Sequence, residues 1–506
     1  MEARRPPRLG DANAEPFPFI AGYAESRRVP VRWICFPHEA WAPAPSPFLL
    51  DLTSRARQQL LAQVAACGAS HLILSEVPAP ALRRFLSRER PGLQVRHCAS
   101  PRSSYSSDWL AAWLGITGER EGFLPDLASP SYRSVPAGGP VPAAPTPVIG
   151  SAPCLYAAPL GDNPAYGDVD LSGIERKFAC AFCPGPPDLK YRYRTPPLDL
   201  AMRQIAAVRA EPETVWSRSQ FVIRSAAVFF AMSKLLQRLE LEAAAPVSLF
   251  FGCRADEVLA RADDIAAALA IARRCGHAIH VFSMGVESFS PPENERFNKR
   301  LSAATVGAAL RRLREWEREY RGTFFFTRHG GLGFILFTPW TTLEDLRLNL
   351  AAARELGLEE DGFFLTRRVM LLGDTPLLRL AEHDGLVDPS AAQDRALFEW
   401  LQRHCDPGCR RFFEEQDRPW RFREAVTARV CAITVRMAKL DAIVEDDPHH
   451  RRIVEAVRSS RVRLLDAFSA LLGIAEDHRE APLKVLLEGW LDWLRRAPAG
   501  ARGDRP

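Results

Sequence analysis

Cys180 and Cys183 stand within the run Arg176-Lys-Phe-Ala-Cys180-Ala-Phe-Cys183-Pro184. Thiolates at this spacing can grip one metal centre from a single tight loop, as in zinc and iron–sulfur sites. A bare Cys-x-x-Cys pair is also a common structural accident, so its meaning depends on the chain around it. A thioredoxin-type redox pair opens a helix directly, whereas Pro184-Gly-Pro-Pro187 follows this one. Further thiols are available at Cys154, in Ser151-Ala-Pro-Cys154-Leu-Tyr156, and at the close pair Cys405 and Cys409. Cys154 offers a third ligand by folding back. Cys405 and Cys409 offer either an auxiliary or zinc site, or a plain turn with two unrelated thiols. His329 beside Gly330-Gly331 reads as a turn between two strands.

The elements that must position these residues fall into pieces. Residues 1–30 are charged and proline-rich and read as a flexible tail. Residues 31–125 alternate short apolar strands (31–36, 71–75, 93–97) with helices (49–67, 80–90). That pattern predicts a small, doubly wound α/β domain. Residues 126–166 hold the run Ser134-Val-Pro-Ala-Gly-Gly-Pro-Val-Pro-Ala-Ala-Pro-Thr-Pro147, whose composition predicts a semi-rigid linker. Residues 167–390 repeat strand and helix, with strands over 220–224, 247–252, 280–285, 323–326 and 333–337. Helices are expected over 197–210, 227–242, 255–274 and 303–320. Units of this kind curl into a partial (β/α) barrel of TIM type, with ligands at the C-terminal ends of the strands. Residues 391–506 show only helical periodicity, over 398–403, 421–444, 449–472 and 482–496, and predict an all-helical domain.

Composition narrows the classes. Lys and Arg outnumber Asp and Glu by 66 to 61, a mild excess without a dense basic stripe, so nucleic acid is not an expected partner. No apolar run approaches the roughly 18 residues of a membrane span, and residues 1–30 hold no apolar signal core. Eleven scattered cysteines are expected to be reduced thiols in a cytoplasmic protein.

The order of motifs along 166–390 resembles the radical S-adenosylmethionine (SAM) superfamily. The residues that carry the resemblance are the Cys180–Cys183 loop, Met284-Gly-Val-Glu287-Ser with Glu-Asn-Glu-Arg-Phe-Asn-Lys299, Gly333-Phe-Ile-Leu-Phe-Thr-Pro-Trp340, and Leu371-Leu-Gly-Asp-Thr-Pro-Leu377. Residues 31–125 resemble, by architecture, the cobalamin-binding-like domain of some members. The resemblance implies a 4Fe–4S cluster held by three cysteines, SAM bound to its open iron, and an electron donor to reduce it. Cys180 and Cys183 would be cluster ligands, with Phe182 between them near the adenine. Glu287 would face the ribose or amino group of SAM, and Arg254 its carboxylate. The backbone at Phe337 and Thr338 would line the adenine pocket. The substrate would be a small molecule or peptide, lodged between the barrel and the helical domain.

The chain departs from the family in informative places. The position of the first cluster cysteine, four before Cys180, is Arg176, which can neither deprotonate nor coordinate iron. Ile223-Arg-Ser-Ala226 stands where many members carry a Gly-Gly-Glu run. The Asp-x-His-x-x-Gly loop that supplies a cobalt ligand is missing. His38 therefore reads as a surface or packing residue and the first domain as degenerate. The leading expectation is an enzyme that starts radical chemistry with a third thiolate from elsewhere; the alternatives are a scaffold or partner subunit that has lost its cluster, and a SAM- or nucleotide-binding module with zinc or no metal.

Overall fold

In the computed structural model, the described residues are 17–31, 33–35, 49–50, 52–74, 77–78, 80–97, 107–116, 124–136, 144–149, 156–174, 176–183, 196–224, 226–242, 244–326, 332–358, 365, 367–373, 375–388, 420–438, 448–460 and 462–497. Cys154, Cys405, Cys409, His38, His329 and the helix expected over 398–403 lie outside them.

The organising element is a parallel sheet of six strands. It contains β7 (Ala144–Ile149), β8 (Trp216–Arg224), β9 (Ser248–Arg254), β10 (Ala278–Glu287), β11 (Phe324–Phe326) and β12 (Leu332–Phe334). The order is β11-β10-β9-β8-β7, and β12 joins the C-terminal half of β10. Parallel neighbours need crossovers, and helices supply them. They span Met232–Leu241, Ala262–Cys275 and Ala303–Glu319. Alternation sorts the two faces of the sheet. Leu249, Phe251, Ile279, Val281, Phe324 and Phe326 are buried in the main core. On the other face Phe250 stacks on His280 at 4.3 Å between centroids, and His280 on Phe325 at 4.6 Å, each ring one strand further along.

The segment expected as a linker is not wholly one. Ala144–Ile149 is an edge strand of the main sheet, and β6 (Ser134–Pro136) pairs in parallel with β1 (Trp33–Cys35). Proline is tolerated on an edge strand because the missing donor costs no second ladder. Thr146 and Val148 point into the protein, and the Thr146 hydroxyl donates to the Ser217 carbonyl at 2.7 Å. Proline content had masked a half-buried alternation.

The expected tail is also structured in part. Phe17–Ser26 is a helix that buries Phe19, Ile20 and Tyr23 with Leu110, Leu124, Ile149 and Leu200. Gly22 lets this helix touch the chain at Ser129, where an added Cβ would sit 1.8 Å from the carbonyl oxygen. In the first domain the expected strands and helices appear, shortened. Among the described residues the strands form three parallel pairs, β1 with β6, β2 (Leu49–Leu50) with β4 (Val77–Pro78), and β3 (His71–Leu74) with β5 (Gln94–His97), and not one continuous sheet.

The C-terminal helices are Ala425–Ala438, Pro448–Ser460, Leu464–Asp477 and Leu483–Arg496. The single helix expected over 449–472 is broken after Ser460. The hydroxyls of Ser459 and Ser460 bond carbonyls of their own last turn, offering the backbone an alternative to continued helix. No helix among the described residues is long and apolar enough to cross a membrane.

Candidate functional site

The site lies where β9 and β10 end. β9 delivers Arg254 and β10 delivers Glu287 at its last position. The β10–β12 register shifts between Gly285 and Glu287, a bulge that re-aims the side chain after it. Glu287 takes the left-handed conformation, φ +64, which costs a non-glycine residue about 1–3 kcal/mol. Its side chain is repaid by a buried ion pair: Lys299 Nζ donates to Glu287 Oε1 at 2.9 Å, with both groups almost closed to solvent. Gly285 leaves the space for this pair, since a Cβ there would stand 2.8 Å from both Glu287 Oε1 and Lys299 Nζ.

The cysteine loop is clamped against the segment that carries Lys299. The Asn298 amide donates to the carbonyls of Ala158 and Ala179 at 2.9 and 2.8 Å. The Ala181 amide donates to the Phe297 carbonyl at 2.9 Å, and the Leu377 amide to the Ala181 carbonyl at 3.0 Å. Within the loop the Cys183 amide donates to the Cys180 carbonyl at 3.2 Å, and neither thiol is in a disulfide. The loop is thus held by hydrogen bonds to three separate segments, around Ala158, Phe297 and Leu377.

Arg254 is the hub. Its Nε and Nη2 hold both oxygens of Asp256 at 2.9 Å, and Nη2 also donates to the Lys299 carbonyl at 2.9 Å. Its Nη1 donates to Cys180 Sγ at 3.4 Å, and the guanidinium lies 3.6 Å from the Tyr156 ring centroid. Tyr156 in turn donates its hydroxyl to the Asn298 carbonyl at 2.5 Å. Most of the fork is therefore spent on the protein's own groups. Burial pushes the Cys180 thiol above its ordinary pKa, although Lys299 and Arg254 pull the other way. Lys299 is held above the usual lysine range: burial opposes its charge, but Glu287 and Cys180 favour it more.

Phe182 is half-buried, edge-on to Phe297 at 5.3 Å, with Lys299 Nζ 5.9 Å from its ring centroid. Phe337 and Thr338 belong to a neighbouring, fully buried cluster. The Phe337 amide donates to the Arg367 carbonyl and its own carbonyl accepts from the Val369 amide. The Thr338 hydroxyl donates to Glu293 Oε1 at 2.8 Å, and Thr341 donates to the same oxygen at 3.2 Å. Burial raises Glu293 to about 7. Glu293 opens the stretch that ends in Asn298 and Lys299, so this cluster supports the clamp. Cys180, Cys183, Phe182, Arg254 and Glu287 thus come together, whereas Phe337 and Thr338 sit beside them with their backbone bonds made internally. Lys299, Asn298, Tyr156 and Glu293 were given no role by sequence reasoning. Lys299 lay in a quoted motif, but no local pattern tells a buried lysine from an exposed one.

Arg176 occupies the third-ligand position and is buried. Its Nη1 donates to the Cys183 carbonyl at 3.3 Å, and its guanidinium lies 5.5 Å from the Phe178 ring centroid. A 4Fe–4S cluster with one open iron needs three thiolates. Of the loop's two thiols, that of Cys180 already accepts an arginine N–H, and among the described residues no group of three metal-binding side chains forms. The described residues thus supply two of the three thiolates, and Cys154, the third that the sequence offers, lies outside them.

The sequence matches no protein-family model and no curated protein. Similar solved structures include three of the cobalamin-dependent S-adenosylmethionine radical enzyme OxsB. The apo, selenomethionine-labelled form is 12% identical with a TM-score of 0.47, covering 87% of this chain and 68% of that one. The form with aqua-cobalamin and S-adenosylmethionine is 12% identical at 0.47, covering 97% and 73%. The form with aqua-cobalamin alone is 12% identical at 0.48, covering 87% and 69%. Similarity at this level does not show a family, and the chain's own sheet and loop carry the functional reading.

Proposed function

We propose that the chain is a radical SAM-like, barrel-type protein that works without an iron–sulfur cluster, as a ligand-binding scaffold or partner subunit. The observation that supports this reading is Arg176, buried in the cysteine loop and bonded to the Cys183 carbonyl where a third thiolate would be needed. Arg254, Asp256, Lys299 and Glu287 support it further, because Arg254 pairs with Asp256, Lys299 with Glu287, and Arg254 also donates to Cys180. The retained residues then do structural and binding work. The clamp from Asn298 fixes the loop, and Arg254 and Lys299 each sit in an ion pair beside it. A substrate-class or nucleoside ligand would enter at the C-terminal ends of the strands, the usual place for ligands of parallel sheets.

A second reading is the radical enzyme, with Cys154 as the remaining thiolate. It is favoured by Tyr156, two positions after Cys154, whose ring packs on the arginine that donates to Cys180. Anaerobic reconstitution separates the two. Colourless, iron-free, folded protein supports the scaffold. Brown protein that loses its iron on Cys154→Ala and on Cys180→Ala overturns it.

A further inference from the structure

Three side-chain cations meet the cysteine loop, and only two have a carboxylate partner. Arg254 is paired with Asp256 and Lys299 with Glu287, both at 2.9 Å. Arg176 is 6% exposed, and no carboxylate among the described residues lies within ion-pair reach of it. Among the described residues it has a single hydrogen bond, from Nη1 to the Cys183 carbonyl, and its buried Nε has no partner there. Burying a charge without a counter-charge is costly, and arginine cannot escape by losing its proton. The Phe178 ring at 5.5 Å offsets only part of that cost. A planar fork with idle donors is the shape that binds an oxyanion through parallel hydrogen bonds.

We propose that the cysteine loop is an oxyanion-binding site in which Arg176 receives a carboxylate or phosphate group of the protein's ligand. This inference rests on the cluster-free reading above. Arg254 and Lys299 add little to this, each being paired with its own carboxylate. Burial pushes the Cys180 thiol above its ordinary pKa, which leaves the site room for negative charge where a thiolate bound to iron would fill it.

The test uses the full chain, with its iron content measured on the same preparation. Inorganic phosphate and malonate are titrated separately by calorimetry, against sodium chloride at matched ionic strength. The two arms tell a phosphate ligand from a carboxylate one. Wild type is expected to bind at least one of them saturably. Arg176→Met should weaken that binding at least about tenfold, the loss of a charge-assisted hydrogen bond. Arg176→Lys, which keeps the charge but not the fork, should fall between. If Arg176→Met does not fold, the wild type alone decides: the bound anion should slow alkylation of Cys183 by the neutral reagent N-ethylmaleimide. No saturable binding to iron-free wild type, unaltered affinity in folded Arg176→Met, or no protection of Cys183 would overturn the proposal. About four irons per chain would instead overturn the reading beneath it.

Discussion

The Lys299–Glu287 pair gives the sharpest energetic prediction. At 2.9 Å, and with an effective dielectric of about 20, the gross attraction is about 6 kcal/mol. Desolvation of both ions consumes much of this, so the net worth of the pair is small, while the cost of breaking it is not. Glu287→Gln leaves Lys299 charged and alone in a closed site, and Lys299→Met does the same to Glu287. Each single substitution should cost about 3–5 kcal/mol of unfolding free energy, read from urea denaturation. The double variant should cost well under their sum, with a coupling of about 2–3 kcal/mol. The raised pKa of Lys299 adds a pH signature. A group whose folded pKa lies above its unfolded value contributes fully below the unfolded value and loses its contribution as pH rises through the folded one. For a lysine this means a share of stability present below about pH 10.4 and lost above it in wild type, but absent from Lys299→Met. Single substitutions costing under about 1 kcal/mol, or additive within about 0.5 kcal/mol, would refute the reasoning.

Two further outcomes follow from buried groups. Glu293, raised to about 7 by burial and by the nearby Asp345 against the pull of Arg296, should lend stability below about pH 4.5 that is lost as pH rises through 7. Glu293→Gln should flatten the stability profile between about pH 5 and 8; an unaltered slope would show that another group titrates there. Gly22→Ala would gain helix propensity on an open surface, but its Cβ would collide with the Ser129 carbonyl. It should therefore destabilise by about 1–3 kcal/mol, and a neutral or raised unfolding midpoint would mean the helix of residues 17–26 does not pack there.

Much of the sheet was legible because its strands are short apolar runs between strongly amphipathic helices, and the helix 197–210 is found with the expected bounds. Two segments misled for one reason. Proline in Ala144–Ile149 and around Phe17–Ser26 suppressed the strand and helix readings, although Thr146, Val148, Phe19 and Tyr23 carry the alternation and spacing of buried faces. At the site, spacing brought Cys180 and Cys183 into view, whereas Arg254 and Glu287, each ending a strand, were named only through the resemblance to the radical SAM superfamily. Lys299, Asn298 and Tyr156 were not visible as parts of it, since their roles come from long-range contacts across more than a hundred residues in two of the three cases. Whether an arginine at 176 is solvated or buried was likewise beyond sequence pattern, and burial is what gives it meaning.

The central claim is that the loop around Cys180 and Cys183 is complete without iron. Iron and sulfide quantified after anaerobic reconstitution of the full chain test it most directly. Substoichiometric iron, unchanged by Cys180→Ala, in protein whose fold is unaltered is the predicted result. About four irons per chain, lost in Cys180→Ala, would contradict it.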